Sequence, residues 1–139
     1  MHGIKQVLNL AKQYGPLIGR ILLALIFIIS GYYKIGGFQQ TAAMMASKGL
    51  PMAQVLLVLT ILIELGGGLM ILLGWRARWA ALAIFLWLIP TTIIFHPYWA
   101  ADAAQMQSQW GSFMKNLAIM GGMMYVMAFG SGPYSLNRD

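Results

Sequence analysis

Glu64 is the residue whose surroundings point most directly to chemistry. It is the one charged residue in an otherwise apolar run from Met52 to Gly74. About 20 apolar residues span a bilayer, so we expect this carboxyl to lie near the membrane midplane. An acid there costs roughly 2.5–3.5 kcal/mol to insert. A cation, a hydrogen-bonding group, a bound proton or a watery cleft must offset that cost, which makes Glu64 a candidate for ligand binding or proton transfer.

The spacing around Glu64 predicts which way its side chain points. Glu64 shares a helical face, by three- and four-residue spacing, with Thr60, Gly67 and Gly68. Small residues on such a face let a neighbouring helix approach closely, so we predict that Glu64 points into the protein. The structural alternative is a protonated acid that only bonds a neighbouring helix.

Three further ionisable residues are predicted to lie in the outer half of the same bundle. Lys34 ends the first apolar segment, His96 ends the third with Thr92 a turn earlier, and Lys115 precedes Asn116 in the fourth. Together with Glu64 they predict a polar pocket that opens to the outer side. The candidate catalytic residues are Glu64, His96 and Lys115, and the candidate ligand-binding residues are Lys34, Thr60, Thr92 and Asn116.

Each of these residues also has a structural explanation. Lys34 could be an interfacial anchor that reaches the headgroups, and His96 could cap a helix before Pro97. Lys115 is harder to explain in this way, because it interrupts an apolar helix. The eleven methionines are explained by gap filling in apolar cores, and with two histidines and no cysteine we predict no metal site.

The composition indicates an integral membrane protein. Of the 139 residues, 60% are hydrophobic and 9% are charged, whereas a soluble domain carries about 25% charged residues. The length allows one domain, residues 1–139. The net charge of +6 comes from basic residues scattered between apolar runs, so we predict a lipid bilayer as partner and no nucleic acid.

Four apolar segments are long enough to cross a membrane, at residues 17–33, 53–74, 77–95 and 113–129. In hydrocarbon a helix satisfies its own backbone hydrogen bonds, so the sequence predicts an all-α, four-helix transmembrane bundle. A short interfacial helix is expected to precede it and to end at Gly15-Pro16. The first connection, residues 36–51, is expected to hold a second short helix over the outer surface.

The distribution of cations predicts the orientation. Cations lie in the N-terminal segment, the second connection and the tail, at Lys5, Lys12, Arg20, Arg76, Arg78 and Arg138, and the first connection has two, Lys34 and Lys48. The third connection, from about His96 to Ser112, contains no lysine or arginine. The positive-inside rule then places both termini in the cytoplasm, with the first and third connections outside a bacterial inner membrane.

Six short motifs, taken in order, resemble the DoxX family: Ser30-Gly31-Tyr32-Tyr33-Lys34, Lys48-Gly49-Leu50-Pro51, Glu64-Leu65-Gly66-Gly67, His96-Pro97-Tyr98-Trp99, Phe113-Met114-Lys115-Asn116 and Gly132-Pro133-Tyr134-Ser135-Leu136. The resemblance implies a small four-helix protein of the bacterial inner membrane. A related subunit belongs to a thiosulfate:quinone oxidoreductase of sulfur-oxidising archaea, and other relatives are associated with oxidative-stress complexes. The resemblance therefore adds a quinone to the expected ligands.

The leading hypothesis is a redox-associated membrane subunit that binds a quinone-like or other small ring compound. His96 and Lys115 are expected to donate hydrogen bonds to a carbonyl oxygen, and Glu64 to exchange the accompanying proton. Thr92 and Asn116 are expected to orient these groups, and Lys34 to balance charge at the pocket mouth. No motif for a bound redox cofactor is present, so the electrons are expected to come from a redox protein partner or from a substrate.

Two other function classes stay open. One is a non-enzymatic interaction protein that stabilises a membrane partner, in which the acid and the lysines lock helices together. The other is a transporter for a small solute, which is less favoured because no inverted repeat is detectable, unless the protein forms a homodimer. The sequence leaves open whether the protein is an enzyme.

Overall fold

The computed structural model describes residues 2–136, and these residues form helices and no strand. Six α-helices follow one another: α1 (His2–Gly36), α2 (Phe38–Ser47), α3 (Ala53–Ile61), α4 (Gly68–Leu73), α5 (Ala77–Phe95) and α6 (Met106–Phe129). A π-helical turn, Leu62–Gly67, joins α3 to α4 in one continuous rod, and a 3-10 turn, Tyr98–Ala100, follows α5.

Four rods form the bundle: α1, the α3–α4 rod, α5 and α6. Both α1 and α5 pack against the π-helical turn, and α5 packs along α6. The last two helices run antiparallel, because Thr92 bonds Asn116 while the later His96 bonds the earlier Gln109. Apolar side chains from all four rods fill the space between them, among them Phe27, Ile71, Ile84 and Met123. The predicted all-α membrane architecture is confirmed.

Three helical segments are long and apolar enough to cross a membrane: Gly3–Gly36, Ala53–Leu73 and Ala77–Ala100. The second and third predicted spans agree with them closely. The fourth predicted span, 113–129, lies within α6, which begins seven residues earlier at Met106. Polar residues at 107–109 fit a helix but lower its hydropathy, and α6 is not one of the three apolar segments found among the described residues, so the fourth span stays a prediction. Arg138, one of the cations used to predict orientation, lies outside the described residues.

The prediction of a separate N-terminal helix that ends before Pro16 is wrong, because α1 continues through this residue. A proline inside a helix removes one backbone hydrogen bond. Here the chain after α6 packs on this turn of α1. Gln13 donates to the Tyr134 hydroxyl at 2.9 Å, the Tyr14 and Tyr134 rings stack at 5.8 Å, and Gly132 has no room for a Cβ beside Pro16. These contacts stabilise the helical conformation around the proline.

The short helix expected in the first connection is present as α2. It buries Ala42 and Met45 against Leu57 of α3. Gly49 then adopts φ +85°, a conformation that glycine reaches without strain, and the chain turns into α3. As a result α2 packs beside the first turns of α3, at what we call the α2 end of the bundle.

Candidate functional site

A buried ion pair joins α1 to the π-helical turn. Glu64 is 2% exposed, and its Oε1 lies 2.5 Å from the Nζ of Lys34. The same ammonium donates to the Ser30 hydroxyl at 2.9 Å. The cation that offsets the buried carboxyl therefore comes from α1. Insertions of π-helical geometry occur frequently at functional sites, and Glu64 lies within one.

A glycine lets the two elements approach closely enough to form this pair. A Cβ built at Gly31 would lie 2.7 Å from Cγ of Leu65 and 3.3 Å from Cβ of Glu64, so a larger residue does not fit without a shift. Lys34 follows three residues later on the same helical face, which brings its ammonium to the carboxyl. α1 ends at Gly36, so the approach of Gly31 lies about 7.5 Å along the helix axis from the end of α1.

A cavity of about 340 Å³ lies beside this pair at the α2 end. Its polar lining residues are Lys34, Thr41, Lys48, Thr60, Thr91, His96 and Gln109, and its apolar ones are Met44, Met45, Leu57, Trp87 and Phe95. No carboxylate is among these described lining residues. Glu64 lies behind Lys34 and is not one of the lining residues. Lys34 connects the cavity to the carboxyl.

The hydrogen bond of His96 determines what its ring can offer a ligand. Nδ1 lies 2.9 Å from Oε1 of Gln109 in α6. An amide oxygen accepts but cannot donate, so Nδ1 carries the hydrogen and Nε2 of the neutral ring is an acceptor. The predicted donor role therefore requires a protonated ring. His96 also directly follows α5 and donates its backbone N–H to Thr92, so it ends the helix as well as lining the cavity.

The aromatic wall of the cavity was missed by the sequence interpretation. Trp87 donates its indole N–H to the Thr60 hydroxyl at 3.4 Å, and the Thr91 hydroxyl donates to the carbonyl oxygen of Trp87 at 2.9 Å. Trp87, Thr91 and Phe95 recur every four residues and therefore share one face of α5. That spacing is a signal that could have identified them.

Two predicted ligand-binding residues bond each other instead. The side-chain amide of Asn116 donates to the Thr92 hydroxyl at 3.0 Å, and both side chains are buried between α5 and α6. Neither lines the cavity. Their bond joins two helices, and their predicted role in orienting groups around a ligand stays a prediction.

Lys115 does not converge on the same site. It is exposed and lines a different groove, between α1 and α6. The adjacent Asn116 points toward α5, and neighbouring residues on a helix point about 100° apart. Of the predicted ionisable cluster, the structure brings Lys34, Glu64 and His96 together at the α2 end and leaves Lys115 on another face.

Comparison with known proteins assigns the chain to a family. Residues 15–97, more than half of the chain, match the sequence profile of the DoxX family. The chain belongs to the DoxX family. This DoxX protein is 38% identical over 127 residues to the inner membrane protein YqjF of Escherichia coli (strain K12), covering 91% of this chain and 92% of YqjF. It is 34% identical over 122 residues to the inner membrane protein YphA of the same organism, covering 88% and 87%. No solved structure matches the chain significantly.

The family assignment agrees with the membrane architecture. Both relatives are named inner membrane proteins, and the apolar helices of this DoxX protein indicate a membrane protein. The motif that contains Gly31 and Lys34 contacts the motif that contains Glu64, and the motifs of Lys48 and His96 both contribute to the cavity. Segments far apart in sequence therefore meet around one site.

Proposed function

We propose that this DoxX protein binds a small ring compound with oxygen acceptors, such as a quinone headgroup, in the cavity beside the Lys34–Glu64 pair. One observation carries the proposal: a 340 Å³ cavity is lined by two ammonium groups, those of Lys34 and Lys48, an imidazole, and two aromatic rings, those of Trp87 and Phe95. Ligand pockets typically measure about 300–1,000 Å³ and combine apolar walls with a few polar groups.

Lys34 is the residue proposed to hold a ligand oxygen. An ammonium has three hydrogens to donate. Glu64 and Ser30 accept two of them, which leaves one donor for a ligand in the cavity. Glu64 holds this ammonium in place by accepting its hydrogen bond, so we assign it a positioning role through Lys34 rather than direct contact with the ligand.

His96 is proposed to hold the second oxygen. With Nδ1 bonded to Gln109, Nε2 of the neutral ring can accept a hydrogen bond from a ligand hydroxyl. The protonated ring can instead donate to a carbonyl oxygen. The residue therefore suits both the hydroxyl and the carbonyl form of a ring compound and can take up a proton from the ligand.

The proposed setting is a redox-associated subunit. A bound quinone would supply a redox couple, in which the quinone and its reduced form differ by two electrons and two protons. Lys34 and His96 would bind the ring and fix its orientation, Glu64 would hold Lys34 in place, and His96 would exchange protons with the ring. A separate redox protein or an oxidisable substrate would supply the electrons. The cation distribution favours a site that opens to the outside, because Arg76 and Arg78 lie in the connection at the opposite end from α2.

The test is quinone binding by the purified protein and by a variant that loses the pair. Mass spectrometry of compounds retained after gentle purification comes first, followed by titration of a short-chain quinone. We expect Lys34→Met/Glu64→Leu to weaken binding about ten- to 100-fold, the value of one hydrogen bond to a charged group. Lys12→Met, an exposed lysine of α1 outside the cavity, should bind like wild type. Equal affinity of wild type and the double variant would contradict the proposal.

A second candidate function is recruitment of a membrane partner. It is favoured by the observation that the acid and lysine bond each other inside the bundle, as helix-locking groups do. In that case a specific protein copurifies with the chain, no ring compound is retained, and Lys34→Met/Glu64→Leu leaves the copurification unchanged as long as the bundle folds.

A further inference from the structure

A second and larger cavity lies on another face of the bundle. It is a groove of about 770 Å³ between α1 and α6, at the base of which Leu23 of α1 lies against Gly122 of α6. Leu22 and Ile26 line it from α1, and Ile119, Val126 and Phe129 line it from α6. The groove is therefore apolar along most of its length.

The groove has the length of a lipid tail. It extends along α6 from Lys115 to Phe129, about 21 Å at 1.5 Å per residue. Half of a bilayer hydrocarbon core is about 15 Å thick. Gly19 keeps the α1 side open, since a Cβ there would meet nothing within 4 Å. One acyl chain can lie along this groove.

Lys115 gives the groove a charge at one end. Its neighbour Asn116 bonds Thr92, which lies one helical turn before His96 at the α2 end of the bundle. Lys115 is therefore close to that end, near the depth of the lipid headgroups, and its long side chain can extend toward them. Within residues 2–136 the one ion pair joins Lys34 to Glu64, and the charge of Lys115 is not matched by an acid in that part of the chain.

The other cation that lines the groove is committed elsewhere. Arg20 is buried, and its guanidinium donates to backbone carbonyl oxygens at the end of α4 and in the segment after α6, namely those of Ile71, Leu72, Pro133 and Tyr134. Lys115 is therefore the cation in this groove that is available to an anion.

We propose that the groove is a binding site for an acidic phospholipid of the bilayer, with the phosphate at Lys115 and one acyl chain between α1 and α6. The apolar walls bind any lipid tail, whereas the ammonium selects the headgroup. A zwitterionic lipid carries its own cation beside the phosphate and gains less from Lys115, so selectivity for a net negative headgroup follows from this single residue.

The test is native mass spectrometry of the full chain in detergent micelles that contain equimolar phosphatidylglycerol and phosphatidylcholine with identical acyl chains. We expect wild type to retain phosphatidylglycerol about fivefold more than phosphatidylcholine, the size of one lysine's contribution to binding anionic lipid. Lys115→Met should lose this preference, and Lys115→Arg should keep it. Lys12→Met removes an exposed cation outside the groove and should behave like wild type.

A pair of glycine variants tests the apolar part independently. Gly19→Leu places a side chain in the groove and should reduce retention of both lipids. Gly121→Leu on α6, where a Cβ also meets nothing within 4 Å, lies outside the groove lining and should retain them. Absence of headgroup preference in wild type, or the same preference in Lys115→Met, would overturn the proposal.

Discussion

The free energy of unfolding should respond asymmetrically to loss of either member of the Lys34–Glu64 pair. The variants are Lys34→Met, Glu64→Leu and the double variant, each of which replaces a charged side chain by an apolar one of similar length. Lys34→Met leaves a carboxylate that is 2% exposed without its cation. Glu64→Leu leaves a lysine whose side chain is 27% exposed and borders the cavity.

The burial of each partner sets the expected magnitudes. Removing one member of a buried ion pair costs about 3–5 kcal/mol. Lys34→Met should lie at the lower end of that range, about 3 kcal/mol, because the pair is partly open at the lysine. Glu64→Leu should cost about 1 kcal/mol, since the ammonium can turn toward the cavity and water. The double variant should lie within about 1 kcal/mol of wild type, because apolar replacement of a buried pair is often neutral.

The assay is equilibrium unfolding by sodium dodecyl sulfate in mixed micelles, followed by circular dichroism. The coupling free energy comes from the four-protein cycle. Lys48→Met is the matched control: it removes an exposed lysine from the cavity lining and should change stability by less than about 0.5 kcal/mol. Additive single effects, or a larger loss in Glu64→Leu than in Lys34→Met, would refute the assignment of Lys34 as the charge that stabilises Glu64.

Two further predictions use the same unfolding assay. Gly31→Ala should destabilise the bundle by about 1–3 kcal/mol, because its Cβ would lie 2.7 Å from Cγ of Leu65. The control, Gly121→Ala, should be neutral or slightly stabilising, because a Cβ at Gly121 has no neighbour within 4 Å. Equal effects of the two variants would argue against a close approach of α1 to Leu65. Arg20→Lys should lower the free energy of unfolding by about 2–3 kcal/mol, since an ammonium cannot replace a guanidinium that bonds carbonyl oxygens of two segments. The same variant should be cleaved faster by a protease in the segment after α6. Cleavage at the wild-type rate would show that the Arg20 bonds do not hold that segment.

Apolar length was sufficient to predict the rods of this fold. The third predicted span, 77–95, coincides with α5, and the second, 53–74, covers the α3–α4 rod. A run of about 20 apolar residues has one stable form in hydrocarbon, so length and composition determine the helix. The continuity of α1 through Pro16 was not predictable in this way, because contacts from Tyr134, more than a hundred residues away, stabilise it.

The inward position of Glu64 was predictable from its glycine-rich face, but its partner was not. The partner depends on the axial position of α1 relative to the α3–α4 rod, and the approach of Gly31 to Leu65 sets this position. The midplane expectation for Glu64 counted residues along a single rod. In the bundle, the first turns of α3 pack beside α2, and the depth of the carboxyl in a bilayer stays a prediction.

The polar residues of α6 show a second limit of sequence interpretation. Asn116 and Lys115 are adjacent, and the prediction assigned both to one pocket. One faces α5 and bonds Thr92, while the other borders a groove toward α1. An apolar helix with two polar residues side by side gives no signal for which neighbour each will face. The order of the helices around the bundle decides it, and that order is a property of the whole fold.

Stability and ligand binding should be linked at Lys34, because the same ammonium serves both. Two of its hydrogens go to Glu64 and Ser30, and the third is the one proposed for a ligand oxygen. A ligand that binds the folded state alone raises the free energy of unfolding by about 2.7 kcal/mol at a concentration 100 times its Kd. A short-chain quinone should therefore stabilise wild type, and the double variant Lys34→Met/Glu64→Leu, folded but without the donor, should gain far less at the same concentration. Equal stabilisation of both proteins would mean that the quinone partitions into the micelle or binds elsewhere on the bundle, since neither route involves the ion pair.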